Sequence, residues 1–137
     1  MGEVRVKATL TNAMDEALAR RGQIATTEIR RHEADAMVDT GAVRSVIPSY
    51  VAQKLGLSSR GQRVVEYADG RKEAVDVTES VVISVLERDT LEEALVLGDE
   101  VLIGQTVLEK LDIMVDCNSR RVVPNPAHPD QPVTKVK

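Results

Sequence analysis

The chain has 137 residues with 18 basic against 22 acidic side chains, a net charge of −4, and arginines that come in scattered pairs among acids. No basic stripe or aromatic stacking set points to nucleic acid, no apolar run approaches a membrane span, and the opening MGEVRVKATL lacks a signal-peptide core. Cys117 is alone, which rules out a disulfide within the chain. The scattered His and Cys residues have no metal-ligand spacing and no phosphate-cradling glycine loop is present, so a cytoplasmic protein without metal or cofactor is expected.

The length suits one domain, expected over residues 1–126, with 127–137 as a Pro-rich, flexible tail. Hydrophobic residues make up 42% of the chain, yet Phe and Trp are absent and the only tyrosines are Tyr50 and Tyr67. The core must therefore be aliphatic, and the many β-branched residues favour strands. Alternation in Val4-Arg5-Val6-Lys7-Ala8-Thr9-Leu10 predicts the first strand. Residues 11–23 fit either a helical turn or a long loop. Ile24–Arg31 and Ala34–Val38 read as two strands around the charged Arg31-His32-Glu33. The stretch PSYVAQKLGL predicts a short helix with Pro48 at its first position and Gly56 closing it.

Next, RVVEYADGRKEAVDV forms two arms around Asp69-Gly70, a strong hairpin signal because Gly accepts positive φ at no steric cost. VVISVLER and LEEALVLG read as a further strand pair, although LEEAL alone prefers helix. In EVLIGQTVLEKLDIMVD an apolar strand and a Gly precede a brief helix, with Thr106-x-x-Glu109 matching a capping box. DIMVD and RVVP flank the turn CNSR as a last hairpin. Charge runs such as Asp15-Glu16 and Glu92-Glu93 read as solvated faces. Many short strands with one or two short helices predict an all-β domain, a closed or partly closed barrel.

One segment resists this bland account. AMVDTGAVRSVIP ends an apolar run on Asp39 and becomes apolar again after Thr40-Gly41-Ala42. A carboxylate entering a core is costly unless it is paired or shares a proton. A second unit in which an apolar strand meets a Gly, Val101-Leu102-Ile103-Gly104, follows later and is again succeeded by a helix. Cys117 with His32 or His128 is set aside as a thiol nucleophile, because Cys117 falls in a turn and His128 in the tail.

With MVDTGAVRSVIP, VAQKLGL, the hairpin around ADG, EVLIGQTVLEKL and VDCNSRRVVPNP in the same order, residues 24 to 126 resemble the retropepsin-like aspartic proteases. The resemblance is to small bacterial single-domain members related to retroviral protease. It implies a barrel whose DTG loop crosses beneath the hydrophobic-hydrophobic-Gly segment, with the central hairpin as a flap over a substrate groove. Asp39 would then be catalytic, with Thr40, Gly41 and Ala42 supporting the loop. Val46, Ile103 and Gly104, with Val101, would border the groove or simply pack in the core. Tyr67, Asp69 and Gly70 would form the flap, with Tyr67 either covering the site or exposed on its arm. Two departures stand out: the usual acid after DTGA and Arg after the second Gly are replaced by Val43-Arg44 and Gln105.

Peptide hydrolysis by carboxylates needs one ionised and one protonated, and two Asp groups about 3 Å apart share a proton. One Asp-Thr-Gly per chain cannot supply both, whereas a two-fold homodimer can. The expected function is thus a homodimeric aspartic endopeptidase acting on a peptide or protein substrate. The competing expectation is a non-catalytic binding or scaffold module on the same barrel.

Overall fold

The computed structural model describes residues 3–137. The alternating start forms β1 (Val4–Asn12), whose Ala8 and Leu10 are buried while Arg5 and Lys7 face solvent. β1 pairs antiparallel on one side with β2 (Arg31–Val38), from Val4↔Val38 to Thr11↔Arg31. On its other side it pairs with β5 (Lys72–Val85), from Thr9↔Ser84 to Asn12↔Val81. That double pairing closes the sheet.

The remaining strands are β3 (Val46–Ile47), β4 (Ser59–Glu66), β6 (Arg88–Val96) and β7 (Leu102–Ile103). The order β1-β2-β7-β3-β6-β5 returns to β1 as a six-stranded barrel, with β4 carried outside it on β5. β2–β7 and β3–β6 are parallel, and the other ladders are antiparallel. A separate two-stranded sheet joins β8 (Ile113–Asp116) to β9 (Arg121–Pro124). The expected all-β closed barrel is what forms. One aliphatic cluster fills it, with Leu10, Ile47, Leu55, Ile83, Ile103 and Leu111 completely buried. Each such side chain contributes about 1.5–3 kcal/mol of burial.

Among the described residues three α-helices decorate the barrel: α1 (Ala13–Arg20), α2 (Ser49–Lys54) and α3 (Gln105–Leu111). The ambiguous stretch after β1 is helical because the Asn12 side chain accepts the Asp15 N–H at 3.0 Å and caps α1. Ile24–Arg31 is not a strand: Thr26–Glu28 makes a single 3-10 turn, with Glu28 bonded back to the Ala25 N–H, and Arg31-His32-Glu33 lies inside β2. Pro48 precedes α2 as its cap rather than opening it. KEAVDV and VVISV belong to one 14-residue strand, irregular in its register with β6 between Val77 and Ser80, so the flap arm runs directly into the barrel. LEEAL is extended because pairing with β5 and β3 overrides its helical preference.

Asp15-Glu16 is not wholly solvated. Asp15 is buried, and its carboxylate accepts the Arg30 backbone N–H at 3.0 Å, Nε at 2.8 Å and Nη2 at 3.0 Å. Arg30 in turn occupies the space beside Gly56, where a Cβ would lie 1.8 Å from Nη1. Since Gly56 also has φ +67°, no other residue fits this helix end comfortably. At the other end of the chain, Asp112 closes α3 in the left-handed conformation and holds the C-terminal segment. Its carboxylate accepts the Asn125 amide at 2.9 Å and the Val133 N–H at 3.0 Å, and lies 2.6 Å from His128 Nδ1. These contacts, the Asn125 amide first, hold the Asp112 carboxyl below its usual range. Buried Arg88 adds bonds to the Leu111, Asp112 and His128 carbonyls, so His128 and Val133 are both tied back to the end of α3.

Two outcomes are expected. The two-residue turn between β5 and β6 places Leu86 at φ 52° and Glu87 at φ 65°, a conformation side chains resist. Combining Leu86→Asn with Glu87→Gly should raise the unfolding free energy by about 1–2 kcal/mol in urea titration. The Arg30 side chain beside Asp15 holds its carboxyl below the ordinary value. The stability this confers is full above the unfolded carboxyl pKa of about 3.9 and is lost as pH falls through the lower folded value. Melting curves of wild type and Asp15→Asn should therefore differ at pH 7 and converge in acid.

Candidate active site

Asp39 sits where β2 leaves its parallel partner β7. The Asp39 N–H donates to the Ile103 carbonyl at 3.0 Å, continuing the ladder by one bond. The chain then turns on the Asp39 carboxylate itself: Oδ1 accepts the Gly41 N–H at 2.9 Å, and the Asp39 carbonyl accepts the Ala42 N–H at 3.2 Å. This is the side-chain-closed turn that Asp favours. Gly41 keeps the turn uncrowded, since a Cβ there would lie a tight 3.2 Å from Oδ1. Asp39 is half-buried, Thr40 and Gly41 are exposed, and no other described residue donates to the carboxylate.

The loop then crosses the start of α3. Gln105 N–H donates to the Ala42 carbonyl at 2.7 Å, and Thr106 N–H to the Val43 carbonyl at 3.1 Å. Buried Ser45 fixes the crossing from the other side: its Oγ accepts the Gly104 N–H at 3.0 Å, and its carbonyl accepts the Leu95 N–H. The approach is so close that a Cβ on Gly104 would stand 2.6 Å from both the carbonyl carbon and oxygen of Arg44. Gly104 is thus the point where two backbones touch.

The structure sorts the residues expected from the sequence. Asp39 and Thr40 border a cleft of about 680 Å³ together with Val4, Met37, Leu108, Ile113 and Met114. Val46, Tyr67, Asp69, Gly70, Ile103 and Gly104 do not line it. Ile103 is completely buried in the barrel and Val101 nearly so, so neither presents a side chain to a groove, and Gly104 acts through its backbone. Val46 is half-buried and pairs with Leu95 and Leu102.

The β4–β5 hairpin turns at Tyr67–Arg71, with Gly70 at φ +88°. Tyr67 is held along its own hairpin, its hydroxyl donating to Glu73 at 2.5 Å and its ring lying 4.7 Å from the Arg71 guanidinium carbon. The Glu73 carboxylate raises the phenol pKa. Arg71 also binds Asp69, and its backbone N–H, then its guanidinium, lower that carboxyl.

The positions that depart from the retroviral pattern have other partners. Val43 is 68% exposed, Arg44 donates to the Glu93 carbonyl at 2.6 Å, and the Gln105 amide lies 3.3 Å from Glu109. Three residues near the loop escaped the sequence reading. Glu92, expected on a solvated face, is buried. Thr106 does not cap α3, whose N-cap is Gly104 with no side-chain bond; its hydroxyl meets the Val43 carbonyl and Glu92. The third is Ser45, for which a polar residue just before the apolar Val46-Ile47 was the available signal. Gly104→Ala should cost about 3 kcal/mol of stability or prevent folding, a loss readable by urea denaturation.

Residues 25–110 match a family profile described as "gag-polyprotein putative aspartyl protease". No curated protein sequence matches the chain significantly. Among solved structures, the retroviral protease-like domain of Ddi1 from Leishmania major is similar, with TM-score 0.55 and 16% identity over 92% of this chain and 90% of that one. The solution structure of simian foamy virus (mac) protease also matches, with TM-score 0.48 and 15% identity over 76% of this chain and 90% of that one.

Proposed function

Since this chain belongs to the gag-polyprotein aspartyl protease family and has the retropepsin-like fold, we propose that it is an aspartic endopeptidase acting as a homodimer. The observation that carries the reading is the Asp39 turn. It holds a half-buried carboxylate by one oxygen, on a loop bonded to β7 and α3, at the edge of a cleft.

The sequence has a single Asp-Thr-Gly, so the second carboxylate comes from another copy. An isologous axis beside the loop brings Asp39 of each protomer together, and one proton held between them divides the work. The ionised carboxylate takes a proton from water as it attacks the peptide carbonyl. The protonated one donates to the carbonyl oxygen, and the same pair returns a proton to the leaving amine, with no covalent intermediate. Thr40, whose exposed hydroxyl has no partner among the described residues, is free to bond across that axis. The apolar side chains of the adjacent cleft, Met37 and Met114 among them, support a second copy seated there. An extended peptide or protein segment is the substrate, with the β4–β5 hairpin as flap. A cytoplasmic site of action is part of the proposal, in keeping with the lone exposed Cys117.

A second reading has its own support. Val43 and Gln105 stand where the retroviral pattern has its acid and arginine, which favours a binding module that keeps the barrel without the chemistry.

Asp39→Asn should lower peptide hydrolysis by about 10³-fold while the circular dichroism spectrum is unchanged. Wild-type activity should follow a bell-shaped pH profile, as a shared-proton pair requires. Digestion of a proteome-derived peptide library, read by mass spectrometry across pH, makes the measurement. Cleavage retained by Asp39→Asn removes Asp39 from the mechanism, and a wild type that is inactive and monomeric in sedimentation with peptide present favours the module instead.

A further inference from the structure

We propose that Glu92 is a positioning residue for the Asp39 loop, acting as a strut between β6, α3 and residues 43–45. The inference rests on the reading of Asp39 as the catalytic carboxylate. Along β6, Leu91 is 54% exposed whereas Glu92 is only 8% exposed, so the acid is withdrawn from solvent. A carboxylate is retained in such a place only where donors converge on it. Here they do. Oε2 lies 2.8 Å from the Thr106 hydroxyl and 3.4 Å from the Ser45 N–H, and Oε1 lies 3.5 Å from Lys110 Nζ.

Both residues that bind Oε2 also hold the active-site loop. Thr106 Oγ1 is 2.9 Å from the Val43 carbonyl, so its single hydrogen is shared between that oxygen and Glu92. Ser45 receives the Gly104 N–H on its own hydroxyl. The four residues Ser45, Glu92, Thr106 and Val43 thus form a ring that grips the loop just past Asp39-Thr40-Gly41-Ala42. The loop needs such a grip because Thr40, Gly41 and Val43 are exposed and have little packing to fix them. A small displacement of a reacting carboxylate costs a large factor in rate, so the strut acts on turnover through geometry without touching substrate.

A cleft of about 420 Å³ lies against Val43, Leu91, Glu92, Thr106 and Lys110. Water can therefore reach the ring when one member is replaced, which keeps the variants foldable. The test compares Glu92→Met and Thr106→Val, which remove the acceptor or the hydroxyl, with Glu92→Gln and Thr106→Ser, which keep one. Hydrogen exchange should show the Ser45 and Thr106 amides opening at least 10-fold faster in the first pair and returning toward wild type in the second. Peptide hydrolysis should follow, with kcat down at least 10-fold, KM within 2-fold, and rescue by the conservative variants. Wild-type exchange rates in Glu92→Met and Thr106→Val would overturn the strut. A wild type with no hydrolysis would overturn the proteolytic reading, while the exchange rates still decide the strut.

Discussion

At Gly104 the backbone of one segment runs so close to Arg44 of another that not even a methyl group fits between them. Everything near the candidate site depends on that contact. It lets the main chain of residues 42–45 bond directly to the first turn of α3, so the loop carrying Asp39 is positioned by amide and carbonyl groups whose reach is fixed. Side chains then lock what the backbone aligns. Ser45 covers the Gly104 amide, and Glu92 and Thr106 close the arrangement from beneath.

The barrel around this crossing is aliphatic, and its polar anchors are few. Asp15, Glu92 and Asp112 each sit in a nest of donors: an arginine and its own amide, a threonine with a serine amide and a lysine, and an asparagine with a backbone N–H and a histidine. Each ties together segments far apart in sequence. A core without Phe or Trp has only non-directional contacts to offer, and these acids supply the directional ones.

Much of this was legible before any coordinates. Alternation marked β1, the DG turn marked the hairpin, and the Asp-Thr-Gly and Ile-Gly units marked the crossing. The rest escaped for identifiable reasons. The charged pairs Asp15-Glu16 and Glu92-Glu93 each have one buried member, and sequence period alone does not reveal which acid finds a partner. Thr106 has the spacing of a helix cap, yet the close approach of Val43 draws its hydroxyl away. Ile103, beside the glycine, was compatible with a groove or with the core, and a two-residue strand inside the closed barrel leaves it completely buried. LEEALVLG reads as a strand although LEEAL alone prefers helix, and pairing on both sides settles that conflict. In each case a long-range contact outweighed a local preference.

The double pairing of β1 has a consequence for how the molecule comes into being. Its second partner, residues 81–84 of β5, lies some seventy positions downstream, and the loop bearing Asp39 waits still longer, for residues 92–106. Such distant pairings make topology the slow step, since ring closure must precede the contacts that reward it. During synthesis the acid-bearing turn therefore gains its supports only after most of the polypeptide has emerged. In a nascent chain of this design, the Asp39 turn stands without its braces until the last third arrives.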